Sequence, residues 1–302
     1  MSAALPLQPL CDGGPALSPL VAGAWRMDAW GWSAQQRLRW IEACIDRGVT
    51  SFDHADIYGG YTVEALFGEA LGLEPALRQR MQLVSKCGIK LLSPQRSAHR
   101  IKSYDTSRVH IVASVEHSLR ALRTDRLDLL LIHRPDALMD AAEVAEAFAQ
   151  LKRQGKVLHF GVSNFTPSQF ELLDAATPLA TNQVELHPLH RRPLHDGTLD
   201  QAQRLKRRPM IWSPLAGGRL FTGVDQAALR VRSVLEAAAE RLGCRPATVA
   251  YAWLLRHPAR PLPVVGSRRI EALDEALQAL TLKLDAETWY ELWQAGEGHE
   301  VP

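Results

Sequence analysis

The chain reads as an α/β protein, a (β/α)8 barrel of the TIM type with an N-terminal hairpin and long loops at its C-terminal face. Three observations point there. Short apolar runs alternate with longer amphipathic ones along almost the whole chain. Eight strand-like runs of this kind are present. The fourth, LDLLLI, is nearly continuous in apolar residues, as a parallel strand buried on both faces must be. A length of 302 residues suits one barrel of roughly 250 residues with additions. No Pro/Gly/Ser-rich linker divides the chain, so residues 1–302 read as a single domain. An open, doubly wound sheet would share the periodicity. However, no GxGxxG follows a strand and no GxxxxGK[ST] occurs.

In chain order, the Pro- and Gly-bearing segment to about Ser18 reads as a hairpin or plug under the barrel. The strands are expected at Leu20–Trp25, Val49–Asp53, Gln82–Ser85, Leu127–Ile132, Val157–Val162, Ala180–Glu185, Met210–Trp212 and Leu262–Val265. Helix signals lie between them. Ser33 opens a run ending at Gly48, Thr166 precedes Pro167, and Arg245-Pro246 opens the segment to His257-Pro258. Across Thr106–Leu122, Ile111, Val112, Val115, Leu119 and Leu122 make one apolar face. Two connections exceed a minimal barrel. Gly88–Asp105 is longer than the roughly 12–15 residues beyond which loops are usually functional or disordered, and reads as a lid or a solvated insertion. Leu215–Asp225 carries glycines that let backbone approach a phosphate.

Composition narrows the function. Hydrophobic residues make up 46% and charged residues 23%, which is globular rather than disordered. With 35 basic against 33 acidic residues, and no block of like charge, no nucleic-acid partner is expected. Neither a membrane partner nor export is expected. No run approaches the roughly 18 apolar residues of a membrane helix, and MSAALPLQPLCDGGP lacks a basic region followed by an apolar one. Cys11, Cys44, Cys87 and Cys244 are far apart, so reduced thiols in a cytoplasmic protein are expected. His187, His190 and His195 lie in a Pro- and Arg-rich loop without a matching carboxylate pattern, and no metal is expected.

Catalytic groups of such barrels sit at the C-terminal ends of strands. The second strand ends in SFDHADIYGG and delivers Asp53, His54, Asp56 and Tyr58. The third delivers Lys86 and the fourth His133. A carboxylate, an ammonium, a phenol and an imidazole at one mouth form a proton-handling set. Lys86 is expected to lower the phenol pKa of Tyr58, Asp53 to keep Lys86 charged, and His133 to orient a carbonyl oxygen.

These residues resemble the aldo-keto reductase family, in its bacterial NADPH-dependent branch. FDHADIYG is similar to the family's Asp-x-Ala-x-x-Tyr-Gly motif, VSKCG carries the lysine and LIHRPD the histidine. The resemblance extends over nearly the whole chain. It implies a catalytic tetrad with Tyr58 as general acid, Lys86 and Asp53 tuning it, and His133 orienting substrate. It also implies an NADPH site. Ser163, Asn164 and Gln183 would meet the nicotinamide carboxamide, and Trp212, where many members have Tyr, would lie under the ring. Gly23 and Trp25 would border the cofactor from the first strand, with Ser213, Leu215, Gly217 and Arg219 on the pyrophosphate side. Gly266, Ser267 and Arg268, supported by Arg269, would hold the adenosine phosphate, and Glu275 would face adenine. Ala276 stands where the family usually has Asn. Trp25, Trp30 and Trp32 are suited to wall a carbonyl pocket.

The expected function is NADPH-dependent reduction of aldehydes or ketones by a monomer or weak homo-oligomer. Two alternatives are an NADPH-binding sensor with slow turnover and a Schiff-base aldolase using Lys86.

Overall fold

The computed structural model describes residues 5–301, so the start of the expected hairpin segment and Pro302 lie outside the described residues. Its first strands, β1 (Gln8–Pro9) and β2 (Ala16–Leu17), pair antiparallel as the expected hairpin. Eight further strands close into a parallel barrel: β3 (Val21–Gly23), β4 (Ser51–Asp53), β5 (Gln82–Cys87), then, after a two-stranded insertion of β6 (Ile89–Lys90) and β7 (Ser103–Tyr104), β8 (Leu127–Ile132), β9 (Val157–Ser163), β10 (Asn182–Glu185), β11 (Met210–Trp212) and β12 (Leu262–Val265). β12 pairs with β3, which closes the ring.

Strand alternation divides the core. Leu129 and Leu131 of β8 join Val21, Val84, Met210 and Leu262 in the barrel interior, whereas Leu130 and Ile132 pack with the helical layer. Leu10 and Leu17 complete the interior cluster from the hairpin. The backbone N–H of Arg208 donates to the Leu10 carbonyl at 2.8 Å, which ties the hairpin to the entry of β11. The hairpin therefore seals the N-terminal end and leaves the opposite end for chemistry. Gly161 shows how tightly the wall fits. A Cβ there would stand 2.8 Å from the Leu131 side chain and 2.8 Å from the Thr181 carbonyl oxygen.

Helix starts follow from side-chain caps. Ser33 and Thr166 each form a capping box, with Gln36 and Gln169 respectively, and Pro167 and Pro246 occupy first-turn positions where no N–H is needed. Several boundaries are shorter than the periodicity suggests. The helix expected over Thr106–Leu122 begins at Arg108, because the Ser107 hydroxyl accepts from the His110 N–H and caps it. Strand β4 begins at Ser51 because the Val49 N–H closes the preceding helix on the Cys44 carbonyl at 3.0 Å. Residues Gly88–Asp105 contain β6 and β7, paired Ile89 to Tyr104 and Lys90 to Ser103, and a 3-10 turn over Pro94–Arg96. Strands of two residues, joined across a long intervening segment, leave no periodic signal. The glycine-bearing loop after β11 folds into a 3-10 turn, Ala216–Gly218, and a short helix, Arg219–Thr222.

Candidate active site

The four expected catalytic residues arrive from three adjacent strands. Asp53 ends β4, Tyr58 lies in the loop after it, Lys86 is near the end of β5, and His133 follows β8, its N–H held by the Cys87 carbonyl at 2.8 Å. Lys86 is 1% exposed. Its Nζ donates to Asp53 Oδ2 at 2.6 Å, to the His54 carbonyl at 2.8 Å and to the Tyr58 hydroxyl at 2.9 Å. An ammonium has three N–H groups, so this geometry uses each of them. The second oxygen of Asp53 accepts from Gln183 Nε2 at 2.8 Å. The carboxylate that holds Lys86 is thus itself fixed by a residue of β10.

The electrostatics follow from burial. Desolvation pushes the Lys86 pKa down, and Asp53 opposes it. The expectation that Lys86 lowers the Tyr58 pKa does not describe this geometry. Burial, and then the Asp53 carboxylate, hold the phenol well above its ordinary value, while Arg134 opposes them. In the resting site burial and the Asp53 carboxylate outweigh the ammonium, so the phenol keeps its proton at neutral pH. Burial, with Lys86 and Arg134 adding to it, pushes His133 well down, so its imidazole is neutral. Its Nδ1 is buried with no hydrogen-bond partner. The Tyr58 and His133 rings stand edge to face with centroids 5.9 Å apart.

Tyr58, His133 and Asp53 lie at a cavity of about 870 Å³, a size that accommodates a large ligand. Most expected cofactor residues line the same cavity. Gly23 ends β3 and Trp25 follows it, Ser163 ends β9 and Asn164 follows it, and Gln183 lies in β10. Trp212, Ser213, Leu215 and Gly217 come from β11 and its loop, and Gly266, Ser267 and Glu275 from beyond β12. Trp25 and Trp30 line it too, while Trp32 packs behind Trp30 at 4.9 Å between ring centroids. A chain of hydrogen bonds sets the aromatic plate. Trp212 Nε1 donates to Asn164 Oδ1 at 2.9 Å, Asn164 Nδ2 to Ser163 Oγ at 2.7 Å, and that hydroxyl to the Gln183 carbonyl at 2.9 Å. Asn164 and Ser213, which line the cavity, have left-handed backbone, with φ of 61° and 50°.

Two expected cofactor residues fall elsewhere. Arg268 and Arg269 are both exposed, but Arg268 is outside the lining and Arg269 is part of it. Arg269 has extended backbone (φ −82°, ψ 122°), so neighbouring side chains on this turn point to opposite sides. Arg219 is also outside, bonded through Nε to Asp225 at 3.0 Å. Ala276 is buried in the helical core, beside Glu275. Sequence reasoning missed the cavity residues Arg26, Arg134 and Arg245. Arg134 stands beside His133 at a strand end, so the strand-end filter that found the histidine could have found it.

A second buried cluster lies behind Lys86. The two ring nitrogens of His54 have no partner, and the ring packs against Phe67 with centroids 4.5 Å apart. Glu64 accepts from the Ser85 hydroxyl at 2.5 Å, and burial pushes its carboxyl up from 4.5 to about 7. A raised folded-state pKa means the folded protein binds this proton more tightly than the unfolded chain. The contribution of Glu64 to stability is therefore full below pH 4.5 and declines as pH rises through about 7. Glu64→Gln should remove that decline, by at most about 3 kcal/mol at pH 8.5. Urea midpoints of both proteins at pH 5 and 8.5 measure it, and an unchanged pH dependence would contradict the account of Glu64.

The Aldo/keto reductase family model matches residues 19–297. The chain is 53% identical over 292 residues to the oxidoreductase YdhF of Escherichia coli (strain K12), covering 96% of this chain and 97% of that protein. It is 44% identical over 289 residues to a 6-dehydroglucose reductase of Agrobacterium fabrum (strain C58 / ATCC 33970), covering 94% and 96%. Among solved structures, the thermostable aldo-keto reductase Tm1743, crystallised with the inhibitor epalrestat, superposes with a TM-score of 0.79 at 27% identity, covering 96% of this chain and 100% of that one. The fold and these matches define a barrel oxidoreductase of the carbonyl-reducing class. The chain belongs to the aldo/keto reductase family.

Proposed function

We propose that this protein reduces aldehydes or ketones to alcohols with NADPH, and that Tyr58 is the general acid. The observation that carries this reading is the Tyr58 hydroxyl at the cavity, 2.9 Å from a Lys86 ammonium locked to Asp53. A phenol with a raised pKa keeps its proton until a substrate oxygen gains charge. Lys86 then stabilises the phenolate that remains, because the Asp53 contact keeps it charged in a buried position. The neutral His133 donates one N–H to the same oxygen and sets its direction.

A bound nicotinamide supplies hydride for the carbonyl carbon. The cavity residues fit that group. Trp212 offers a flat ring already oriented by Asn164, and Ser163, Asn164 and Gln183 bring amide and hydroxyl groups to match a carboxamide. Gly266 has ordinary φ, and the atom nearest to an added Cβ would be the Gly23 carbonyl oxygen at 4.0 Å, so neither backbone nor packing demands glycine there. What its missing side chain does is bare the backbone toward the cavity. Ser213, Leu215 and Gly217 would flank the pyrophosphate, and Glu275 would reach the adenine.

Preference for NADPH rests on Arg269, a guanidinium suited to the 2′-phosphate. Arg269→Ala should cut the NADPH/NADH affinity ratio about tenfold or more, whereas Arg268→Ala should change it little. Fluorescence titration with both cofactors reads this directly. An unchanged ratio in Arg269→Ala would remove the 2′-phosphate assignment. Turnover across a panel of carbonyls tests the reaction itself: tight NADPH binding with no rate above background would favour a sensor. The reading places the protein in the cytoplasm as a monomer or weak homo-oligomer, acting on small carbonyl compounds and not on nucleic acid or membranes. No helix among the described residues is long and apolar enough to cross a membrane.

A further inference from the structure

The cavity carries positive charge that the tetrad does not use. Arg134 follows His133 directly, lines the cavity and is half-buried. Among the described residues, its guanidinium has no hydrogen-bond or ion-pair partner in the side-chain network. It rests over the Trp212 ring, 5.4 Å from the centroid. The Glu185 carboxylate, held by His187 at 3.1 Å, feels the Arg134 charge but does not bond to it, and a half-buried guanidinium without a bonded anion loses hydration that a contact to a ligand would restore. Lys102, from the β6–β7 insertion, lines the same cavity and likewise has no anionic partner among the described residues.

The carboxylates lining the cavity are Asp53 and Glu275. Asp53 has both oxygens committed, to Lys86 and to Gln183. Glu275 lies on the helix Ile270–Gln278 beyond β12, where the adenine side of the proposed cofactor site is. Three further arginines line the cavity. Arg26 stands so close to Gly217 that an added Cβ would be 3.1 Å from its guanidinium, and Arg245 and Arg269 line the β12 side. Arg134, in contrast, stands on the tetrad side, where its field reaches both Tyr58 and His133. Apolar and aromatic side chains, Trp25, Trp30, Ile89, Leu91 and Tyr104, line the same cavity.

We infer that Arg134 reads a carboxylate on the substrate, so that the preferred substrates are aldehydes or ketones bearing an acid group on a short apolar or aromatic body. This rests on the carbonyl-reductase reading above. Arg134 acts by binding: it sets which carbonyl compound reaches Tyr58 and His133. Its planar fork matches a carboxylate bidentately, which a point charge does not.

Two probes of one skeleton test it, 4-carboxybenzaldehyde and its methyl ester, reduced with NADPH. The wild-type protein should show kcat/KM about tenfold or more higher for the acid, carried mainly in KM. In Arg134→Gln that preference should fall to near one, and Arg134→Lys should retain part of it. Electronic differences between the probes cancel when the ratio is compared across variants. The inference is overturned if the wild type shows no preference for the acid, or if Arg134→Gln keeps the wild-type ratio. It is equally overturned if Arg134→Gln slows both probes alike, or if its main effect is on NADPH affinity. A better rate with a neutral polyol such as glyceraldehyde than with the acid would also overturn it. Reduction of the ester without preference for the acid sinks this inference alone. Absence of turnover on either probe and across the carbonyl panel sinks the reductase reading itself.

Discussion

Replacing Lys86 by methionine is expected to abolish carbonyl reduction and to destabilise the protein by about 3–5 kcal/mol. Both effects come from the same contacts. Asp53 is 3% exposed, and its Oδ2 lies 2.6 Å from the Lys86 ammonium. Removing the ammonium leaves a buried carboxylate with only Gln183 to satisfy it, and the His54 carbonyl loses its donor at 2.8 Å. Methionine fills much of the space, so the loss reports charge rather than a cavity. The double variant Lys86→Met, Asp53→Asn should recover most of the stability but none of the activity, because no cation then stands beside Tyr58. Urea denaturation and NADPH consumption on the three proteins separate the two effects. A single variant as stable as the wild type would contradict the buried-pair account.

Tyr58→Phe is expected to lower kcat by about 10²–10⁴-fold, the contribution of a positioned general acid. The ring itself should stay in place, because it packs edge to face with His133 and lies 6.4 Å from Trp25 between centroids. NADPH affinity should therefore remain near the wild-type value, since the cofactor groups on β9, β10 and β11 are untouched. This split between turnover and binding separates loss of the proton donor from general damage to the cavity. Retained turnover of an aldehyde such as 4-nitrobenzaldehyde would remove Tyr58 from its assigned role.

Much of this architecture was legible because its signals are local or periodic. LDLLLI has one register that buries both faces, and β8 occupies the full Leu127–Ile132 range. Thr166-Pro167 is an unambiguous helix start, found with its capping box. Asp53, Tyr58, Lys86 and His133 could be singled out because strand ends of a parallel barrel converge whatever the loops do. What escaped depends on direction and distance. Which of Arg268 and Arg269 faces the cavity is decided by the backbone of one turn, which composition does not encode. The link from Gln183 to Asp53 joins residues 130 positions apart. The direction of the Tyr58 pKa reverses because burial and the Asp53 carboxylate outweigh the neighbouring ammonium. Strands β6 and β7 are too short for a periodic pattern and are held by pairing across a long connection.

Hydride and proton are expected to reach the substrate carbonyl together at Tyr58. The most direct test is a reaction of the wild-type protein with NADPH deuterated at C4 and 4-nitrobenzaldehyde, followed by mass spectrometry and NMR of the products. With both C4 hydrogens of NADPH replaced by deuterium, one deuterium is expected on the alcohol carbon for each NADPH oxidised, with the transfer lost in Tyr58→Phe although that variant still binds NADPH. Bound NADPH with no labelled alcohol from the wild type, or equal label transfer by Tyr58→Phe, would contradict it.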